Sequence, residues 1–254
     1  MRKIIKILFI LLFGSLLQAH AVLPQKLSLS VDFGYKGLTA ELNDAWPVRQ
    51  DVGSVSSYTN RNVNINAEMN FLGLSAEYAL DNRFSLISGL RFITLESDAI
   101  KNDYDRGGSF FLRLNSLGSQ VEYTRIRKIR EESGFIGIPI ELKYTPFNLG
   151  FVSLYTKLST EFAYRVSHLT DIEFKLTEME AYEKSVLNDL NIKSNPFYSS
   201  IYITFGAKFK LSKSIYASLD LFTPAFYMTE NNSSLLDISN ISGTQFSLVF
   251  PLNK

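Results

Sequence analysis

The chain has 254 residues, no cysteine and a formal net charge of +1 at pH 7. Lacking cysteine, it has no disulfide framework, thiolate zinc site, iron–sulfur cluster or thiol nucleophile. An apolar content of 46% with 20% charged residues excludes wholesale disorder. The mean hydropathy of +0.03 is too low for a multi-helix membrane protein. Aromatic usage is unusual, with 20 Phe and 13 Tyr against a single Trp.

Arg2, Lys3 and Lys6 precede an uncharged apolar run from Ile7 to Leu17, followed by Ala19-His20-Ala21. This is the basic, apolar and small-residue pattern of a cleaved secretory signal peptide, predicted over 1–21. The run is too short for a spanning helix, which needs about 20 residues. A buried N-terminal helix would leave the basic cluster unexplained. Cleavage after Ala21 leaves 23 Lys+Arg against 25 Asp+Glu, a net charge of −2. An exported, cysteine-free chain fits a bacterial envelope protein that does not depend on oxidation.

The remainder, 22–254, reads in period two. Leu27, Leu29, Val31, Phe33 and Tyr35 alternate with Ser28, Ser30, Asp32, Gly34 and Lys36, which predicts a strand with one apolar face. The pattern recurs from Leu72 to Leu80, Phe84 to Phe92, Ile136 to Tyr144, Val152 to Val166, Ile201 to Lys210, Ile215 to Leu221 and Phe246 to Leu252. Connections alternate in kind. Tight turns rich in Asx, Ser and Gly fall at 80–83, 146–150 and 211–214, and long polar loops at 39–67, 98–133, 167–196 and 229–240. Eight strands connected this way predict an all-β, antiparallel up-and-down transmembrane β-barrel, with short periplasmic turns and long outer loops.

A soluble periplasmic ligand-binding barrel would also alternate, so the composition of each face matters. The polar parity holds Asp32, Lys36, Glu77, Arg91, Glu141, Lys143, Lys157, Glu161, Arg165, Lys208 and Asp220. Six cations against five anions suit an inward ion-pair network. The apolar parity carries no charge in any of the eight segments, as a lipid-facing surface requires; a midplane charge costs about 2–4 kcal/mol. Phe84, Phe147, Phe151 and Phe250 are predicted at the short-turn rim. Tyr35, Tyr164, Phe197, Tyr198 and Tyr227 are predicted at the long-loop rim, making two aromatic girdles. Pro139, Pro224 and Pro251 fall on the inward parity or at strand ends, where a missing ladder donor is tolerable.

The run Phe135-Ile136-Gly137-Ile138-Pro139-Ile140-Glu141-Leu142-Lys143-Tyr144 resembles the mid-barrel strand of the PorT-like outer-membrane β-barrel family of Bacteroidota. The likeness is specific over about ten residues, and the eight-strand layout extends it loosely over 22–254. It implies an outer-membrane location and a role in secretion or the cell envelope. The long loops match no pattern of that family, and the chain ends on Lys254 rather than an aromatic residue.

Eight strands enclose an interior that side chains can fill, which argues against a general diffusion porin. Function is then expected in the loops, on the lipid face or with a partner, as a structural component or membrane anchor. No enzyme activity, cofactor, metal or nucleic-acid contact is expected. The alternative is a lipid A acyl hydrolase or transferase around His168, with Ser167 and Asp171 as candidate companions. Neighbouring residues on a strand point to opposite faces, so Ser167 and His168 would not meet directly. Arg125, Arg127, Lys128 and Arg130, on a hairpin of 109–114 and 120–130, could bind lipopolysaccharide phosphates, partly cancelled by Glu131 and Glu132. Asp98, Asn102, Asp103 and Asp105 before Gly107-Gly108 form an incomplete calcium-loop pattern. The stretch 177–195 could form a short loop helix.

Overall fold

In the computed structural model the alternating segments are long antiparallel strands; residues 27–49, 63–101, 110–114, 122–229 and 232–252 are described. The expected signal peptide, most of the calcium-like stretch and the turn of the 109–130 hairpin lie outside them. The strands are β1 (Leu27–Leu42), β2 (Val48–Arg49), β3 (Val63–Ala79), β4 (Phe84–Lys101), β5 (Phe110–Leu114) and β6 (Glu122–Asn148). There follow β7 (Val152–Phe174), β8 (Phe197–Lys210), β9 (Tyr216–Phe222), β10 (Phe226–Tyr227) and β11 (Leu236–Pro251).

Eight strands close a ring. From β1 it runs through β3, β4, β6, β7, β8, β9 and β11, which pairs back with β1. Closure removes the open edges that neither water nor lipid tolerates well. The three tight connections follow from their side chains. Asp81 Oδ1 accepts from the backbone N–H groups of Arg83 and Phe84 at 2.6 and 2.7 Å. Asn148 Oδ1 accepts from Gly150 N, and Gly150 takes the positive φ of 83° that a side chain would resist. Ser212 Oγ accepts from Ser214 N.

The apolar parity faces outward. Phe33, Leu72, Leu74, Phe92, Ile138, Leu158, Ile203, Phe205, Leu219 and Phe246 are all exposed, while Asp32, Arg91, Glu141, Lys157, Glu161 and Asp220 on the opposite parity are buried. A soluble barrel needs the reverse arrangement. Two hydroxyls on the lipid side are satisfied within the wall: Ser88 Oγ donates to the Pro139 carbonyl, and Thr156 Oγ1 to the Thr204 carbonyl. No described helix is long and apolar enough to cross a membrane.

Two expectations need correction. The segments at 39–42, 63–67, 98–101, 110–114, 122–133, 167–174 and 236–240, expected within loops, are strand, so the wall continues beyond the lipid band on one side. There β5 takes over from β4 as the partner of β6, and β2 pairs with β5. Tyr198, expected in the outer girdle, is fully buried inside the barrel and donates to Glu161. Phe84, Phe147, Phe151, Phe250, Tyr35, Tyr164 and Phe197 are exposed. The side chain of Tyr227 lies outside the described residues. The loop between β7 and β8 holds a 3-10 turn at Thr177–Tyr182 and α1 (Glu183–Leu190), whose Val186 is buried.

Candidate functional site

The lumen is filled in layers. At the short-turn end Glu77 pairs with Lys143 and, at 3.5 Å, with Lys208. Deeper, Lys157 Nζ donates to Glu141 Oε2 and Asp220 Oδ2, both at 2.7 Å. Tyr155 donates to Asp220 Oδ1, and Ser75 to Asp32 Oδ2, each at 2.5 Å. Arg91 then spans the interior, donating to Glu141 at 2.7 Å, to Glu161 and Tyr202 at 3.1 Å and to Gln245 at 3.2 Å. Lys36 Nζ donates to Glu161 Oε2 at 2.6 Å, and the rings of Phe71 and Tyr202 lie within 5.3 Å of it.

Ten of the eleven residues expected in the lumen therefore belong to this network, five cations against five anions. Arg165 does not. It sits at the outer end and donates to Ser194 Oγ and the Ser194 carbonyl. Pairing matters because an uncompensated buried charge is strongly destabilising. The cavity left among these groups is about 30 Å³, room for one or two waters.

Above the network lies an apolar layer of Met69, Phe71, Ile93, Leu95, Phe135 and Ile241. A second polar layer follows, centred on Glu131. Its fully buried carboxylate accepts four hydrogen bonds on Oε2: from Ser233 Oγ at 3.1 Å, Ser234 N at 2.9 Å, Ser234 Oγ at 2.6 Å and Leu235 N at 2.7 Å. Ser133 Oγ reaches Oε1 at 3.4 Å. Beyond it, Leu42, Trp46, Leu112, Ile126, Ile129 and Phe174 head an outer apolar core that includes Leu235 and Val186 of α1. In the sequence Glu131 stands out only as a charge diluting the basic hairpin. The odd parity it shares with Glu141 and Lys143 on β6 was the signal that placed it inward.

His168 points inward as well, because Val166 is an extra residue in the β6–β7 ladder: Gly134 pairs with Ser167 and Phe135 with Arg165. Its Nδ1 is 3.0 Å from Ser133 Oγ and 3.8 Å from Glu131 Oε1, and its Nε2 is 3.3 Å from Thr170 Oγ1. Burial holds its pKa below the usual value; Glu131 opposes this and the Arg165 charge adds to it. Ser167 is exposed on the opposite face and Asp171 lies beside Glu183, so His168 and its two suggested companions do not converge. Ser133 and Glu131 crowd the same ring nitrogen, whereas a nucleophile–base–acid relay uses both.

The basic residues of the outer hairpin are already paired. Arg127 meets Glu173 at 3.4 Å and Lys128 meets Asp98 at 2.8 Å. Arg130 meets Glu132 at 2.6 Å and Glu96 at 3.6 Å. Arg125 stacks on Phe111 at 5.0 Å. An open cleft of about 350 Å³ nearby has Lys128 and Arg130 facing Asp171, Glu173, Glu180 and Glu183, so carboxylates outnumber the cations that an anionic ligand would need. Asp98, from the calcium-like pattern, is committed to Lys128, and no group of three or more metal-ligating side chains occurs among the described residues.

Fold and site together define an eight-stranded antiparallel membrane β-barrel with a filled lumen and a structured outer extension. No protein-family model matches the chain, and no curated protein matches it. Among solved structures it is similar to Ail, the attachment invasion locus protein of Yersinia pestis, at 10% identity over 90% of this chain and 99% of that one, TM-score 0.33. It is also similar to Outer Membrane Protein W of E. coli, at 12% identity over 87% and 97%, TM-score 0.31. The translocator domain of autotransporter NalP from Neisseria meningitidis gives 7% identity over 94% and 93%, TM-score 0.31. Scores this low add nothing to the barrel, which rests on its own closed ring of hydrogen bonds.

Proposed function

We propose that the protein is an integral outer-membrane β-barrel acting as a structural component or membrane anchor for an envelope or secretion complex. The observation that carries this reading is a lumen filled along its length beneath an outer extension with its own apolar core. A barrel that holds nine ion-paired side chains and an apolar layer inside has no path for solutes. What it offers is a rigid exterior and a shaped outer surface. The alternation of short turns and long connections, an export signal expected at 1–21, and the PorT-like run at 135–144 support the outer membrane and an envelope role. Contact with lipopolysaccharide phosphates would fall to Arg125, since Arg127, Lys128 and Arg130 are held by carboxylates of the same wall.

The test is purification from membranes in mild detergent. A stoichiometric partner that survives gel filtration supports the anchor role, and a lone monomer at every detergent concentration opposes it. Planar-bilayer recordings of the same sample should show no conductance steps.

A further inference from the structure

The segment Asn232–Leu236 crosses the outer mouth without joining the ladder of the barrel until Leu236 begins β11. Asn232 anchors its start by donating to the Thr229 carbonyl at 2.9 Å, and two further ties hold the rest. On one side the β1–β2 turn holds its carbonyls: Asn43 N donates to the Leu235 carbonyl and Trp46 Nε1 to the Ser234 carbonyl, both at 2.8 Å. On the other side its donors converge on one atom, Glu131 Oε2. Ser233 Oγ closes the segment on itself, accepting from Leu236 N at 2.9 Å. Leu235, fully buried, is the side chain it lowers into the outer apolar core.

We propose that Asn232–Leu236 is a displaceable strap, latched by the Glu131 carboxylate, that covers the apolar core in the outer half of the barrel. Concentrating four donors on a single oxygen places the whole hold of the β6 side on one side chain, leaving only the Asn43 and Trp46 contacts opposite, whereas a strand ladder spreads its hold over many groups. The membrane-spanning part does not depend on the strap, since Met69, Phe71, Ile93, Leu95 and Phe135 and the ion network below seal it independently. Release therefore uncovers apolar surface around Leu112, Ile126, Ile129 and Phe174 without opening a pore. The proposal rests on the barrel geometry alone and stands whether or not a partner is found.

The chain supplies its own reporters. Trp46 is the only tryptophan, 3% exposed and bonded to the strap, and the absence of cysteine leaves a single introduced thiol unambiguous. The experiment places Leu235→Cys in the full chain, in bilayers, with Glu131 or Glu131→Gln, and follows maleimide labelling together with Trp46 emission and acrylamide quenching. Glu131 protein should label slowly while the barrel keeps its folded gel mobility. Glu131→Gln should label at least tenfold faster, with a red-shifted and more quenchable Trp46. Ser234→Ala, which removes one donor, should raise the rate about threefold and serves if Glu131→Gln fails to fold. Equal labelling rates, or labelling only when the barrel itself unfolds, would overturn the proposal and make the segment a fixed plug.

Discussion

Arg91 Nη1 donates to Glu161 Oε1 at 3.1 Å across the barrel interior, joining residues 70 positions apart, both with fully buried side chains. The second nitrogen of the same guanidinium holds Glu141 at 2.7 Å. One planar cation thus connects β4 to β6 and β7 at mid-height, a task that suits the fork of arginine better than the point charge of lysine.

Arg91→Ala should destabilise the barrel by about 3–5 kcal/mol, because Glu141 and Glu161 stay buried with part of their compensation removed. Arg91→Lys should recover only part of that loss. The urea midpoint of heat-modifiable gel mobility in bilayers measures both.

Tyr155 and Gly206 are direct cross-strand partners, as are Phe71 and Gly34. In each pair the ring lies over the glycine, and a Cβ there would overlap the ring; at Gly206 it would also overlap the Asp220 carboxylate. Gly206→Ala should cost about 1–3 kcal/mol by overpacking, and Gly34→Ala a similar amount. Gly37→Ala, where the nearest neighbours are 3.9 Å away, should cost little. Unfolding midpoints should place Gly206→Ala and Gly34→Ala together, well below Gly37→Ala.

The sign of the pH effect at His168 follows from its depressed pKa. The neutral ring is favoured in the folded protein, so its stabilising contribution is complete above the unfolded value of about 6.5. It is lost as the pH falls through the lower folded value. Arg165 and Glu131 are the charged groups facing it, with Ser133 and Thr170 as its hydrogen-bond partners. Trp46 emission should therefore indicate a looser outer mouth at pH 5 than at pH 7.5. In His168→Gln that difference should shrink; an unchanged profile would remove His168 from the account.

The membrane-spanning part of every ring strand was legible because lipid on one side and a charged lumen on the other enforce strict alternation. Legibility ended where the lipid ends, because the phase of the pattern inverts there. On β4 the outward series Leu86, Leu90 and Phe92 gives way to Glu96 and Asp98, while the inward series passes from Arg91 to Ile93 and Leu95. Charged residues then face water and apolar ones face the interior, so segments that continue the wall resemble polar loops. The extra residue at Val166 hid the inward turn of His168 for a related reason, since a bulge breaks the parity on which such a reading depends. The four donors on Glu131 come from more than 100 positions away, and no local pattern announces them.

Throughout the membrane-spanning part of the barrel the apolar parity faces lipid and the polar parity faces a sealed interior. Single cysteines at Ser200, Ile201, Tyr202, Ile203, Thr204 and Phe205 on β8, spin-labelled in bilayers, test it most directly through oxygen accessibility by electron paramagnetic resonance. Accessibility should alternate along the strand, high at Ile201, Ile203 and Phe205 and low at Ser200, Tyr202 and Thr204. The opposite phase, or no alternation at all, would contradict it.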